Sequence, residues 1–240
     1  MIILTDHQRD LIQAAACAVH PHEMCGFLTA DSFIQCANIA DNPEESFKIS
    51  AVDFAMHHEV AVAVVHTHVP PRRKHLLIDV RTPSFEDLQG QKQTGLPWLI
   101  LACDGLIVSD PVQLPRQPSR DYLNRPFIWF INDCYSLVQD YYLFELGIDL
   151  PPHKATQPFG DIRSINHIFD EHIADYGFQS LNQIESWRNG DIALLDNGGF
   201  KRNHLGVYHD GMIIHQDTLS LAQPVSDFYG RINEVLRYVG

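Results

Sequence analysis

The spacing of apolar residues in the first half of the chain predicts a mixture of helices and strands. Residues 5–8, TDHQ, form a capping box, and apolar residues then recur at helical spacing up to Val19. The segments CGFLTA and FIQCANIA are predicted to pair as strands. Residues 60–68, VAVAVVHTH, are apolar and rich in β-branched side chains, which predicts a buried strand. The segment LPWLILACDGLIV predicts two strands joined by a turn at Asp104 and Gly105.

The second half is predicted to begin with a helix from about Cys134 to Leu146, with Gly147 as its C-cap. A second helix is predicted from about Ile162 to Tyr176. Three strands follow in the segments DIALLDN, HLGVYHD and MIIHQ, and the last two are joined by the hairpin signal HDG. The final segment, VSDFYGRINEVLRYVG, fits either a helix or a strand.

A proline-rich segment divides the chain. Residues 109–126 hold four prolines, which withhold backbone donors from helix and sheet alike. This composition indicates a linker, with a boundary near Arg116. We therefore predict two domains, residues 1–115 and residues 116–240.

Composition and charge exclude several classes of function. The chain of 240 residues is 45% hydrophobic, which is enough to build a core, and its formal charge is -13. We expect no nucleic-acid partner, because such a protein needs a basic surface. We also expect no membrane insertion, since no apolar run is long enough and the start shows no secretory signal. Five cysteines without a disulfide spacing favour a reducing cytoplasm.

Cys134 is a candidate nucleophile at the start of a predicted helix. Unpaired N–H groups there favour negative charge, and an active cysteine needs a lowered pKa. His204 opens one strand and His215 closes the next, so a hairpin would bring both to its open end. One histidine would accept the thiol proton as the base, and the other would orient the ring of that base. The alternative is that Cys134 is a small core residue and that the histidines are polar surface residues.

The segments DCYSLVQDYYLFELGIDLP, GDIALLDN and NHLGVYHDGMIIH resemble the NlpC-type cysteine peptidase family. The resemblance covers about residues 120–240 and implies a papain-like α+β domain. It implies that Cys134 is the nucleophile, His204 the base and His215 the orienting third residue, and Asp133 also matches. Family members often carry a glycine shortly before the cysteine, where this chain has IWFIND. The usual substrates of the family are γ-D-glutamyl–diamino-acid bonds in cell-wall peptides.

The first half offers candidate metal ligands. His66 and His68 lie two residues apart at a strand end and therefore point to the same face. The segment PSFEDL adds Glu86 and Asp87, and Glu23 lies just before a predicted strand. A catalytic zinc takes three protein ligands, and a neighbouring carboxylate can act as general base. The alternative is a chance pair of exposed histidines in a chain that contains 14 of them.

This constellation resembles the JAMM (MPN) metalloprotease family, which combines an early glutamate, His-x-His at a strand end and Ser-x-x-Asp. The segment PHEMCG also matches the Pro-x-Glu-x-Cys-Gly form of the family. The resemblance implies an α/β domain in which three side chains bind zinc and two further residues assist catalysis. The ligands implied are His66, His68 and Asp87, with Glu23 as the base and Ser84 as a group that stabilises the oxyanion.

The chain departs from that family between the histidines and the serine. Ser84 follows His68 by 16 positions (84 − 68), about twice the usual separation in the family. The extra residues predict an insertion that either loops out or displaces Asp87 from the site. His75 and Asp79 lie within the insertion and are alternative ligands.

The order of a JAMM-like domain and an NlpC-like domain resembles the tail assembly proteins of lambda-like bacteriophages. The resemblance implies an α+β protein that acts in the host cytoplasm during assembly, with the virion tail as a second expected location. It implies other tail tip proteins as partners and a peptide or peptidoglycan stem peptide as substrate. Three functions remain open: a two-site hydrolase, an assembly scaffold whose sites are dispensable, and a cell-wall hydrolase delivered by the particle.

Overall fold

The computed structural model describes residues 2–70, 79–152, 176–181, 187–198 and 200–240. The chain divides into two compact units, Met1–Gln117 and Pro118–Gly240, and the predicted boundary near Arg116 lies close to this division. Within the described ranges, no helix is both long and apolar enough to cross a bilayer. The mixed α+β class predicted from the sequence is confirmed, with one sheet in each unit.

The first unit is built on a five-stranded sheet with the order β2-β1-β3-β4-β5. Strands β3 and β4 are parallel, and the other neighbours are antiparallel. The strands are β1 Cys25–Leu28, β2 Phe33–Cys36, β3 Ala63–His68, β4 Trp98–Ala102 and β5 Val112–Leu114. The helices are α1 Asp6–Val19, α2 Ala51–His57 and α3 Phe85–Thr94.

Helix α1 begins at the predicted capping box. The N–H of Gln8 donates to Thr5 Oγ1 over 3.2 Å, and the N–H of Thr5 donates to Gln8 Oε1 over 2.9 Å. These two bonds satisfy donors that the first turn of a helix leaves unpaired. The buried face of α1, with Ile12 and Ala16, packs in one apolar cluster with Val65 and Leu99 of the sheet. Helix α1 therefore covers one face of the sheet and shields it from solvent.

The strand predictions for the first unit hold with two exceptions, the first of which is β5, Val112–Leu114, because it pairs with β4 inside the segment predicted to be a linker. Strands β1 and β2 pair as expected, and β3 is buried along nearly its whole length. The turn at Asp104 forms, and its Oδ1 accepts the N–H groups of Leu106 and Ile107. The strand expected after this turn is reduced to a single bridge between Cys103 and Val108, so that prediction was wrong. The apolar side chains of Leu106 and Ile107 are exposed there and have no core to cover.

The second unit is built on an antiparallel six-stranded sheet with the order β10-β9-β8-β7-β11-β6. The strands are β6 Phe178–Ser180, β7 Ile192–Asn197, β8 Phe200–His209, β9 Met212–Gln216, β10 Ser220–Pro224 and β11 Ile232–Tyr238. A 3-10 helix, Val225–Phe228, lies between β10 and β11. The final segment is therefore mainly a strand, and the three predicted strands before it are confirmed.

Helix α4, Cys134–Tyr141, continues as a π-helix over Tyr142–Leu146. It ends at Gly147, whose φ of 69° is the left-handed conformation that the sequence predicts for this C-cap. The helix shares one apolar core with Leu205 and Val207 of β8. The second predicted helix falls almost wholly on residues 153–175, outside the described residues.

Candidate active sites

The first unit brings two histidines and an aspartate together at one end of its sheet. His66 and His68 occupy alternate positions at the end of β3, and Asp87 lies in the first turn of α3. The two Nε2 atoms are 3.1 Å apart. His66 Nε2 lies 3.1 Å from Asp87 Oδ1, and His68 Nε2 lies 3.2 Å from Asp87 Oδ2. Three atoms that can bind a cation therefore converge on one point.

Asp87 is held in place by the start of α3. Ser84 is the N-cap of this helix, and its Oγ accepts the N–H of Asp87 over 3.0 Å. The N–H of Ser84 in turn donates to Asp87 Oδ2 over 2.7 Å. This capping box explains why serine and aspartate occur three positions apart, because each satisfies the backbone of the other. It also aims the carboxylate at the histidines.

The histidine rings are fixed by contacts on their outer sides. His68 Nδ1 lies 2.7 Å from the carbonyl oxygen of Val80, so this nitrogen carries a proton and donates it. In the neutral ring the Nε2 of His68 is then bare and faces the cluster. His66 stacks on Phe47 at 4.3 Å and meets the edge of Trp98 at 5.6 Å between ring centroids. The carbonyl partner of His68 is typical of histidines that bind metals, whereas the buried Nδ1 of His66 has no hydrogen-bond partner in the described part of the chain.

The last residues of the insertion, from Asp79 onward, lie beside this site. Val80 supplies the carbonyl that orients His68, and Asp87 remains beside both histidines. Asp79 instead pairs with Arg81, with 2.7 Å between Oδ2 and Nη2. The other alternative ligand, His75, lies outside the described residues.

Burial and charge together set the protonation of the cluster. Burial raises the pKa of Asp87, but the charges and hydrogen bonds of His66 and His68 outweigh it and hold the pKa well below its usual range. Burial lowers the pKa of His66. Burial also acts to lower the pKa of His68, but the hydrogen bond and charge of Asp87 prevail, so this pKa is raised. One anionic carboxylate therefore faces two imidazoles.

The geometry of this cluster fits a tetrahedral metal. A zinc ion about 2.0–2.1 Å from each of its ligands separates neighbouring ligand atoms by roughly 3.3 Å, which is close to the spacing here. Within the described part of the chain, His66, His68 and Asp87 are the group of histidine, cysteine or acidic side chains that could hold a metal ion. Their nitrogen and oxygen donors suit zinc.

Glu23 lies beside this cluster, while Glu86 does not belong to it. The pairing of β1 with β3 continues at Met24 and Thr67, and one step further puts Glu23 opposite His68. Burial raises the pKa of Glu23 to about 7; His68 acts to lower it and Asp87 to raise it further. Glu86 is exposed on α3. A carboxyl with a pKa near neutrality can both accept and donate a proton at physiological pH.

In the second unit, the thiol of Cys134 lies at the first turn of α4. Asp133 caps this helix, and its Oδ1 accepts the N–H of Ser136 over 2.8 Å. The backbone N–H groups of Leu205, Cys134 and Tyr135 lie close enough to the sulfur to favour the thiolate. The contact with Leu205 puts the sulfur beside β8, one residue from His204. The predicted approach of the hairpin to the start of this helix therefore matches the structure.

The two histidines of the second unit form a hydrogen-bonded chain. His204 Nε2 and His215 Nδ1 are 2.9 Å apart, and their rings meet edge to face. Both side chains are buried, with 5% and 4% of their surface exposed, so they are not polar surface residues. Gly206 lies opposite His215, and a Cβ at this glycine would meet Ile213 at 2.3 Å. The absence of a side chain thus lets β8 and β9 approach closely beside the pair.

Burial keeps both the thiol and the imidazole neutral in this structure. It raises the pKa of Cys134 to about 12, and the charge of Asp133 adds to the effect. Burial lowers the pKa of His204 to about 3, with further contributions from His215 and Arg231. The lowered thiol pKa expected from the sequence is therefore not found. Among the described residues, the Cys134 thiol makes no hydrogen bond to the His204 ring. The distance between nucleophile and base is often long in enzymes without substrate.

Two residues of these sites were missed in the sequence. Gln223 on β10 lies with its Oε1 2.9 Å from His215 Nε2. It lies on a strand that was not predicted from the sequence. The available signal was a polar side chain shortly after His215. Val80 acts through its backbone carbonyl, which carries no residue-specific signal.

Comparison with known proteins separates the two halves of the chain. Residues 124–232 match the NlpC/P60 family, which confirms the resemblance predicted for the second half. The chain as a whole is similar to tail tip assembly protein K of Escherichia phage N15. The two are 27% identical over 244 aligned residues, which cover 95% of this chain and 93% of that protein. The predicted resemblance to phage tail assembly proteins is thereby confirmed, and the resemblance of the first half to the JAMM family stays a prediction.

Proposed function

We propose that the second unit is a cysteine peptidase or amidase in which Cys134 is the nucleophile, His204 the base and His215 the residue that orients the base. The observation that carries this proposal is the position of the Cys134 thiol, at a helix start and beside the backbone N–H of Leu205, the residue that follows His204 of the buried histidine pair. The match of this region to the NlpC/P60 family supports the same reaction class. The substrate class is a peptide or amide bond.

The proposed reaction proceeds in two steps. His204 accepts the proton of Cys134 as the sulfur attacks the carbonyl carbon, and it then gives this proton to the leaving amine as the C–N bond breaks. The products of this step are a thioester and a free amine. Water then attacks the thioester, loses a proton to His204 and releases the carboxylic acid, while Cys134 recovers its proton. Backbone N–H groups at the start of α4 would stabilise the oxyanion.

The neutral resting state has a consequence for this mechanism. With the pKa of the Cys134 thiol at about 12 and that of His204 at about 3, a preformed thiolate–imidazolium pair is disfavoured before substrate binds. Proton transfer therefore accompanies the attack on the carbonyl. Burial also limits access of water to the thiol. We expect the site to open or to change its hydration when a substrate enters.

A second hydrolytic site in the first unit is favoured by the cluster of His66, His68 and Asp87. These residues would hold a zinc ion, which supplies Lewis acidity towards a peptide or isopeptide carbonyl. Glu23, which lies opposite His68 beside the cluster, would accept a proton from the attacking water and pass it to the leaving amine. Ser84, anchored as the cap of α3, would stabilise the oxyanion. This unit is thus a proposed JAMM-like metallopeptidase.

The biological setting of the proposal is phage tail assembly. The similarity to tail tip assembly protein K of Escherichia phage N15 supports it along nearly the whole chain. We propose that the chain contacts other tail tip proteins in the cytoplasm of the infected cell and enters the tail. Its cysteine site would act on a tail protein or on peptidoglycan stem peptides.

Purified protein is expected to cleave synthetic cell-wall stem peptides at an amide bond. Mass spectrometry of the products would identify the bond, because the two fragments together gain the mass of one water. The expected result is cleavage at the γ-D-glutamyl–diamino-acid bond. If folded protein cleaves neither stem peptides nor purified tail tip proteins, the proposed peptidase function is wrong.

The scaffold alternative predicts a different result in the infected cell. In a phage whose copy of this gene is interrupted, we expect wild-type protein to restore infectious particles and Cys134→Ala to restore at most a small fraction. The measurement is the titre of plaque-forming particles, with electron microscopy of tails. Full restoration by Cys134→Ala combined with His66→Ala would show that both sites are dispensable and favour the scaffold.

A further inference from the structure

The hydrogen-bonded chain behind Cys134 extends beyond the two histidines to Gln223. Gln223 lies opposite Ile213 in the pairing of β10 with β9, so its side chain shares a face of the sheet with His215. Its Oε1 is 2.9 Å from His215 Nε2. His215 Nδ1 is in turn 2.9 Å from His204 Nε2. Three side chains from three neighbouring strands thus form one continuous line.

This line has a direction, because a carbonyl oxygen only accepts hydrogen bonds. Facing Gln223 Oε1, the Nε2 of His215 must carry the proton and donate it. A neutral His215 then has a bare Nδ1, which accepts a hydrogen bond from the protonated Nε2 of His204. A neutral His204 with its proton on Nε2 has a bare Nδ1. That bare atom is the one left to receive the thiol proton.

We propose that Gln223 is a positioning residue that selects this direction and so keeps His204 Nδ1 free to act as the base. The inference rests on the proposed cysteine peptidase function. A reversed chain would place a proton on His204 Nδ1 and remove the base. Gln223 makes no hydrogen bond to the thiol in the described part of the chain, and it would act only through His215.

Other contacts hold the rings but do not set this direction. Phe228 packs edge to face against His215 at 5.2 Å and fixes its plane. The charged groups that face the pair are Arg231, which lowers the pKa of both histidines, and Asp217, which raises that of His215. Neither makes a hydrogen bond to a ring nitrogen within the described part of the chain. The choice of tautomer is therefore assigned to Gln223.

The first test is the tautomer itself, read from long-range ¹H–¹⁵N correlations of the histidine rings in the full chain. We expect protons on Nε2 of both His204 and His215 in the wild type. In Gln223→Leu the acceptor is lost, and we expect a substantial fraction of both rings to carry the proton on Nδ1. Gln223→Glu retains an acceptor and should keep the wild-type tautomers while it raises the pKa of His215.

The second test is the rate of stem-peptide hydrolysis as a function of pH. Gln223→Leu is expected to lower kcat by roughly twofold to tenfold, the effect of one net hydrogen bond, and to leave KM unchanged. Gln223→Glu should restore kcat, with the lower limb of the pH profile moved to higher pH. Gln179→Leu is the matched control, since Gln179 is an exposed glutamine of the same sheet on β6.

Several results would overturn the assignment. A proton on His204 Nδ1 in the wild type would mean that the amide of Gln223 is turned around and donates. Unchanged tautomers in Gln223→Leu would show that another group sets the direction. Equal loss of kcat in the Glu and Leu variants would show that the shape of Gln223 matters and its acceptor does not. Hydrolysis that persists in Cys134→Ala would refute the peptidase proposal alone, because the tautomers are measured without substrate.

Discussion

Replacement of Cys134 by alanine is expected to abolish stem-peptide cleavage, with kcat lower by at least about 10⁴-fold. The reason is that the thioester can no longer form, so neither His204 nor the N–H groups of α4 have a reaction to assist. Little loss of folding stability is expected, because the change removes a single sulfur atom from a core that includes Leu137 and Leu205. The measurement is the initial rate of product formation by mass spectrometry.

Cys103→Ala is the matched control for this variant. Cys103 is as buried as Cys134 but belongs to the apolar cluster of the first unit, so full activity is expected. Cleavage retained by Cys134→Ala would assign the reaction to another site. If that remaining cleavage disappeared in His68→Ala, the first unit would be the peptidase acting on these peptides.

His68→Ala is expected to remove zinc from the protein. The wild type should retain about one zinc per chain after dialysis, since its three ligands satisfy the needs of a tetrahedral ion with one open position. The variant keeps only His66 and Asp87, and we expect its affinity to fall by at least about a hundredfold, because loss of even an outer partner costs 10–100-fold. Elemental analysis and competition with a zinc chelator measure this without any substrate.

Two histidines provide the comparison for zinc binding. His58 is exposed and stacks on Phe54 at 5.3 Å, so His58→Ala should retain zinc. His75→Ala should also retain zinc. Loss of zinc in His75→Ala with retention in His68→Ala would show that the ligands were misplaced across the insertion. A wild-type protein that binds no zinc would refute the metallopeptidase proposal for the first unit.

Local patterns in the sequence predicted the elements that carry these sites. The capping box at Thr5, the buried strand that ends at His68 and the Gly147 cap all depend on residues within one turn or strand. The hairpin between β8 and β9 was predicted for the same reason, since its turn residues are adjacent. Local chemistry was therefore sufficient to place Cys134 on a helix start and both histidines on neighbouring strands.

Features that depend on burial were not predictable in this way. The pKa of Cys134 follows from how completely α4 and β8 enclose the sulfur, which no short motif records. The same holds for Gln223, because its role requires the pairing of β10 with β9. The strand expected after Asp104 failed because its apolar pattern has no partner surface to cover. Sequence spacing indicated which residues could meet, and packing determined their protonation.

The double use of Asp87 bears on how this chain could change over generations. Its carboxylate accepts the N–H of Ser84 in the capping box of α3 and also faces the two histidines. The start of the helix is therefore stabilised by Asp87 without any metal. A related chain that binds no metal would still benefit from this aspartate, because its carboxylate accepts the backbone N–H of Ser84 in the capping box. The presence of Asp87 is therefore not by itself evidence that a metal is bound. His66 is the more informative residue, because its Nδ1 has no hydrogen-bond partner in the described part of the chain, whereas His68 also bonds to the backbone carbonyl of Val80.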